Sequence, residues 1–309
     1  MSPTSAHSDD ASAILLLCGV FGTDRTAKPL SLSEYNALAR ALVAAGRRPA
    51  DWLALDPGEG EGVALAQAAG IEHQRLVHLL GRGVQMGFAL EEWERSGIWV
   101  LTRADSAYPK RFRAHLKDQA PAVIYGVGDR ALLEQGGLAI VGSRSVGPAE
   151  SAFTAQVAGR CAKDGIQVVS GGARGVDTAA MEACLQAGGK VVGVLAENLL
   201  RKSVQAGMRQ AIAAGTLVLI SAVHPKARFT AWNAMGRNKF IYALADHALV
   251  VQSDKGKGGT WGGATEELKR AAPRPVFVRA EEPVPAGNQA LLEMGARPWV
   301  DPSPSQRMQ

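Results

Sequence analysis

From Leu138 onward the chain alternates short apolar runs with helical stretches, and this alternation constrains the fold more than any other feature of the sequence. Leu138-Ala139-Ile140-Val141 and Val191-Val192-Gly193-Val194-Leu195 carry no polar side chain. A strand with one wet face alternates apolar and polar residues, whereas an unbroken apolar run suits a parallel strand covered by helices on both faces. The pattern predicts strands at 138–142, 166–170, 190–195, 216–221, 247–252 and 275–279. Helices are predicted between them, near 149–163, 175–187, 202–213, 231–245 and 262–271. Repeated units of this kind build an α/β fold with a doubly wound, mainly parallel, Rossmann-like sheet.

The flanking segments read differently. Residues 1–12 are small, polar and aperiodic, which predicts a disordered start. Residues 13–96 predict a small helical domain, Ala/Leu-rich from Ser31 to Trp93. Ser31 or Ser33 is its N-cap, and a loop holding Asp56, Pro57, Gly58 and Gly60 divides it. Strands at 98–101 and 122–125 enclose a basic helical turn at 109–116 and open the Rossmann-like domain, assigned to 97–280. Residues 281–309 read as a Pro-rich tail with a short helix around 289–294 and no winged helix. With 309 residues, 47% of them hydrophobic, one large domain and a smaller companion account for the chain.

Ligands of such folds bind beyond the carboxyl ends of the strands, where the free N–H groups of helix N-termini attract anions. The sequence is rich at those points. One strand runs into Gly142-Ser143-Arg144 and the next into Ser170-Gly171-Gly172-Ala173-Arg174-Gly175. A later one runs into Gly256-Lys257-Gly258-Gly259-Thr260. Small residues let a phosphate approach the backbone, and a guanidinium fork holds it. Glycine also serves tight strand-to-helix turns for steric reasons alone, so it is the coincidence of three loops that carries weight.

The net charge is +5, and its distribution says more than its size. From Asn198 to Ala245 there is no Asp or Glu, while Arg201, Lys202, Arg209, Lys226, Arg228, Arg237 and Lys239 fall in that stretch. A one-signed run suits a polyanion. Phe229, Trp232 and Trp261 lie in or beside these segments as candidates for stacking on bases or for ordinary core packing.

Other chemistries find little support. There is no GxxxxGK[ST], and no strand-linked GxGxxG followed by an acid about 20 residues on, so ATPase and NAD readings lose their basis. His224 and His247 have no evident nucleophile or ligand partner, and Asp177 reads as a loop-orienting group. Cys18, Cys161 and Cys184 lack metal-ligand spacing and read as small buried hydrophobes of a reducing cytoplasm. The longest early apolar run, Ala13 to Val20, is short of the roughly 20 residues a bilayer requires. Asp9 and Asp10 before it fit a signal peptide badly.

Taken together, these motifs resemble the DNA-processing protein A (DprA/Smf) family of the Rossmann-like SLOG superfamily. The resemblance runs from Gly97-Ile98 and Tyr108-Pro109 through Ile124-Tyr125-Gly126, Ile140-Val141-Gly142-Ser143-Arg144 and Ser170-Gly171-Gly172-Ala173-Arg174-Gly175-Val176-Asp177 to Arg237-Asn238-Lys239. It implies a non-enzymatic, cofactor-free protein that binds and protects single-stranded DNA. It further implies a homodimer that helps load a RecA-type recombinase during natural transformation. Carried onto this chain, the DNA site comprises Gly142, Ser143, Arg144, Ser170, Gly171, Gly172, Arg174, Arg237, Asn238 and Lys239, with Gly258, Gly259 and Thr260 from the third loop. The helical segment is similar in position to the family's sterile-alpha-motif-like domain.

This chain departs from the family's usual pattern in three places. Ser221-Ala222-Val223-His224-Pro225 stands where Ser-Glu-x-Pro is usual, Phe229 lies farther from Arg237, and the third loop is richer in glycine. The same superfamily includes phosphoribohydrolases of the LOG type, whose third-loop motif Gly258-Gly259-Thr260…Glu266 resembles one position out of register. A nucleotide sensor or nucleoside monophosphate hydrolase, with Glu266 and Glu267 as its candidate acids, is therefore the alternative.

Overall fold

The computed structural model describes residues 7–22 and 26–300. Five helices come first: α1 (Asp9–Cys18), α2 (Leu32–Ala44), α3 (Gly60–Ala68), α4 (His73–Leu80) and α5 (Gly83–Arg95). The polar start expected over residues 1–12 is thus helical from Asp9, and residues 1–6 lie outside the described residues. The cause is local chemistry that periodicity does not register. The Ser8 side chain accepts from the Ala11 N–H, Asp9 and Asp10 occupy the positive end of the helix dipole, and Ala11 and Ile14 are buried. Ser31 caps α2, closing a capping box with Glu34.

Next come β1 (Trp99–Thr102), α6 (Lys110–Leu116) and β2 (Val123–Gly128). The alternating unit follows as β3 (Leu138–Val141), α7 (Pro148–Lys163), β4 (Val168–Ser170), α8 (Val176–Gln186) and β5 (Val191–Leu195). It continues with α9 (Leu199–Ser203), α10 (Ala206–Ala213), β6 (Leu217–Ser221), α11 (Ala231–Leu244) and β7 (His247–Val250). The chain closes with α12 (Gly258–Leu268), β8 (Val276–Val278), α13 (Ala286–Glu293) and β9 (Arg297–Pro298). One sheet results, in the order β1-β2-β6-β5-β4-β3-β7-β8-β9. β1 and β2 are antiparallel to their neighbours, and every pairing from β6 to β9 is parallel.

The strand order reverses at β3, which pairs β4 on one side and β7 on the other. This switch point opens the crevice in which doubly wound folds hold ligands.

Three expected elements differ. The helix placed at 202–213 is two helices, because Gln205 leaves the helical region at ψ 137°. The helix placed near 262–271 begins at Gly258, since its glycines let it lie close to α11. A Cβ at Gly263 would stand 2.9 Å from Asn238 Cβ, so packing outweighs glycine's poor helix propensity. The Pro-rich tail is an integral part of the sheet domain as far as residue 300. β9 pairs with β8, Leu291 is fully buried, and the Asn288 side chain bonds to both Ser253 and Arg279. Residues 301–309 lie outside the described residues.

The core is continuous between the helical segment and one face of the sheet. Trp93 of α5 meets Tyr125 of β2 edge-on at 5.0 Å, and His224 packs 5.8 Å from Trp93. Cys161 and Cys184 are buried, and burial pushes their thiols up to about 12 and about 11. Among the described residues no helix is long and apolar enough to cross a membrane.

Candidate nucleic-acid interface

A cleft with two connected parts opens over the carboxyl ends of β3, β4, β5 and β7. The inner part, about 460 Å³, lies between the β3 and β7 loops, and Gly142, Ser143, Arg144, Asn238, Gly258, Gly259 and Thr260 line it. The outer part, about 390 Å³, lies over β4 and β5, where Arg144, Gly171, Gly172, Arg174 and Lys202 converge. Arg144 and Phe229 border both parts. Of the thirteen residues expected at the site, the fold brings eleven to this cleft.

The loops are tied to one another. Thr260 Oγ1 donates to the Gly142 carbonyl at 2.8 Å, joining the first loop to the third, and Asn238 Nδ2 donates to the Gly259 carbonyl at 2.6 Å. Asp177 and Arg237 lie beneath the loops, 3.8 Å apart, and Arg237 Nη1 donates to the carbonyls of Gly171 and Val194. Burial works against both charges. It raises the Asp177 carboxyl above its ordinary range, opposed by Arg237 and by backbone groups of Ala173, Gly142 and Gly171.

The glycines divide by role. A Cβ at Gly171 would stand 2.2 Å from Arg237 Nη1, and one at Gly142 would stand 2.4 Å from Val176 Cγ2. These two serve internal packing. Gly258, at φ +78°, faces open space at the N-terminus of α12. There the first-turn N–H groups have no intrahelical acceptor and can meet an anion.

Three expected residues are placed differently. Ser170 is fully buried, and its Oγ donates to the Ile140 carbonyl, so it joins β4 to β3 and does not face the cleft. Arg237 borders the cleft but is 7% exposed, its guanidinium spent on internal partners. Lys239 lies outside both parts, in an apolar groove with Trp232 and Phe240. Arg144 and Arg174 are exposed. Neither has a hydrogen bond or ion pair among the described residues, and Arg144 stacks 4.8 Å over the Phe229 ring. Of the aromatics, Phe229 and Trp232 are exposed, at 45% and 83%, while Trp261 packs against the core.

The sequence singled out neither Lys202 nor Lys257 as a site residue. Lys202 reaches the cleft from α9, after β5, and its Nζ lies 3.5 Å from the Gly172 carbonyl. Its signal was its place just beyond a fourth strand end, a loop without a glycine cluster. Lys257 is the N-cap of α12 and lines the inner part.

Geometry defines the class first: a doubly wound α/β domain whose switch-point loops present free cations and helix N-terminal N–H groups to an anionic ligand. The family follows from comparison. The sequence profile of DNA recombination-mediator protein A matches residues 99–304, and the chain belongs to that family. It is 28% identical over 222 residues to DNA processing protein DprA of Bacillus subtilis, covering 67% of this chain and 70% of the relative. It is 30% identical over 233 residues to a putative DNA processing protein DprA of Mycobacterium tuberculosis, where it spans 56% of the relative's length and 67% of its own.

Among solved structures, DNA processing protein A of Streptococcus pneumoniae shares the fold, with a TM-score of 0.65 at 21% identity over 87% of this chain and 95% of that one. The Helicobacter pylori protein, described for its single-stranded DNA binding mode, superimposes with a TM-score of 0.55 at 29% identity. That match covers 66% of this chain and 92% of the other.

Proposed function

We propose that this chain binds single-stranded DNA in the switch-point cleft, without catalysis, and acts in the cytoplasm as a recombination mediator. Phosphates lie on Arg144, Arg174, Lys202 and Lys257 and on the N–H groups of Gly258 and Gly259. The observation that carries the reading is the convergence of Arg144 and Arg174, exposed and unpaired, on one cleft whose scaffold uses its own buried ion pair internally. Family membership and the single-stranded DNA binding of the Helicobacter relative support it. On the same family grounds we assign it a homodimeric state, a RecA-type recombinase as partner, and a place in DNA uptake and transformation.

The phosphoribohydrolase alternative places its acid at Glu266 or Glu267. Glu267 is 1% exposed and is held by His115 and Arg270, while Glu266 pairs with Arg270. Neither lines the cleft, which disfavours both as its acids; the carboxylates that do line it are Asp177, held in the buried pair with Arg237, together with Asp254 and Glu197.

Fluorescence anisotropy with a labelled oligothymidine and its duplex tests the reading. The single strand should bind more tightly, because paired bases cannot splay onto protein and a stiff duplex fits a cleft poorly. Equal or tighter duplex binding, or none at all, would overturn it. Light scattering at tens of micromolar tests the dimer, and a monomer mass would remove that assignment alone.

A further inference from the structure

Trp232 is the most exposed large apolar side chain among the described residues, at 83%. It stands in the first turn of α11, three residues after Phe229, and lines a groove of about 430 Å³. The groove lies where α11 meets the helical segment. Leu30 and Leu32 line it from that segment, Val123 from β2, and Trp232, Gly236 and Phe240 from α11. A side chain this large ordinarily buries its rings, so an indole left in water beside an apolar groove marks a contact surface.

The groove is continuous with the DNA cleft, since Leu195, Ala196 and Arg237 line both it and the outer part. No Asp or Glu is among its lining residues, so nothing in it repels a polyanion. Gly236, one turn beyond Trp232 on the same side of α11, has open space where a Cβ would stand. An indole face beside a bare stretch of backbone is the kind of platform on which unpaired bases stack. Phosphate contacts are few here. Arg237 is committed to internal carbonyls, and the Lys239 ammonium lies over the Phe240 ring.

We propose that this groove is the exit path of the bound DNA, a second contact outside the switch-point cleft, where a nucleotide leaving the outer part stacks its base on Trp232. The proposal rests on the single-strand reading of the cleft. It makes the footprint longer than the cleft alone, and it adds a contact insensitive to salt, because stacking releases no condensed counterions. A duplex cannot follow the same path with its bases paired.

Anisotropy with labelled oligothymidines of about 4 and about 16 nucleotides, the span of single-stranded sites, compares the full chain with Trp232→Ala and Trp232→Phe. Thermal melts run alongside, and both variants should melt like the wild type because the side chain is so exposed. Loss of one base–aromatic stack should weaken binding of the long strand by about fivefold or more. The salt slope should hold, and the short strand, which fills only the cleft, should bind as before. Trp232→Phe keeps a ring and should recover most of the loss. The long strand should also quench emission that Trp232→Phe lacks, since the other tryptophans are buried or half-buried. Wild-type affinity of Trp232→Ala for the long strand overturns the exit path and leaves the cleft reading standing. An equal loss on both lengths makes Trp232 part of the cleft and likewise overturns it. Trp232-dependent binding of the long strand that survives the Arg144→Ala/Arg174→Ala double substitution upholds the groove and removes the cleft reading. Binding of neither length removes both. Trp232 emission that changes with protein concentration in the absence of DNA marks the groove as a contact between copies of this chain and overturns the DNA path.

Discussion

Arg237 and Asp177 face one another across 3.8 Å beneath the three loops, each side chain 7% exposed, and the cleft is built on this pair. The guanidinium also holds the carbonyls of Gly171 and Val194, fixing the β4 loop against the end of β5. Arg237→Ala strands a carboxylate and two carbonyls in the interior, and breaking a buried pair from one side costs about 3–5 kcal/mol. The variant should melt far below the wild type. An unchanged melting temperature with weakened DNA binding would instead make Arg237 a phosphate ligand.

How much of this was legible in the sequence depended on how local the determining physics is. Parallel strands announce themselves because both faces are buried, and the apolar runs at 138–141 and 191–195 fall on β3 and β5. The loops beyond them could be placed because the chain itself sets them at strand ends. The buried state of Arg237 could not be read, since a guanidinium in a basic stretch looks the same whether it meets Asp177 or solvent. The start of α12 at Gly258 was hidden because its helical state depends on close approach to Asn238, a contact between elements. α13 and β9 were obscured by prolines that mark the turns around them.

The fixed end of the chain gives a second prediction. Asn288 is fully buried. Its Oδ1 accepts from the Ser253 N–H and Oγ, and its Nδ2 donates to the Val251 and Arg279 carbonyls at 3.0 Å. Asn288→Ala leaves several buried groups unpaired and should cost about 3 kcal/mol, read from the urea midpoint. A chain ended after Ala280 should lose its cooperative transition, because β8 forfeits its outer partner and α13 no longer covers the sheet. A truncated chain that unfolds like the wild type would restore the tail reading.

Glu267 makes a third. Glu267 Oε1 lies 2.9 Å from His115 Nε2 and accepts from the Arg274 N–H at 2.7 Å, while Oε2 lies 3.0 Å from Arg270 Nε. This cluster joins α6 to α12. Glu267→Gln should lower stability by about 2–3 kcal/mol, as expected when a buried charged acceptor is replaced, and leave DNA affinity unchanged. Neither the variant nor the wild type should release adenine from AMP. Base release that Glu266→Gln or Glu267→Gln abolishes would instead establish the hydrolase.

A fourth concerns acid. Arg75 beside Glu34 holds that carboxyl down to about 2, against the opposing effect of burial and with help from Ser31. A carboxyl whose folded pKa is depressed contributes stability above its ordinary value, and loses it as pH falls through the folded value. The contribution should therefore be complete above about pH 4.5 and fade toward pH 2. Because the pair is partly exposed, it is worth about 1 kcal/mol or less. Arg75→Ala should lower the melting temperature more at pH 7 than near pH 2, where only its bonds to the Lys28 and Pro29 carbonyls are lost. An equal deficit at both values would show that packing, not charge, is what Arg75 supplies.

The last prediction concerns the cations of the cleft. Arg144, Arg174, Lys202 and Lys257 line it, and none is in an ion pair among the described residues. Four phosphates neutralised at about 0.7 each predict a slope of log affinity against log salt of roughly −2.8 for a single strand. Arg144→Ala and Arg174→Ala should each reduce that slope by about 0.7 and weaken binding. The fold should stay intact, since neither arginine serves the core and surface changes of this kind usually cost under about 0.5 kcal/mol. Arg144→Lys separates charge from shape: the slope should hold while affinity falls, because an ammonium offers neither the fork nor the flat face that stacks on Phe229. Lys239→Ala should leave the slope unchanged, as its ammonium lies 5.6 Å over the Phe240 ring, outside the cleft. Wild-type affinity in a normally folded Arg144→Ala/Arg174→Ala double variant would place the DNA elsewhere on the protein.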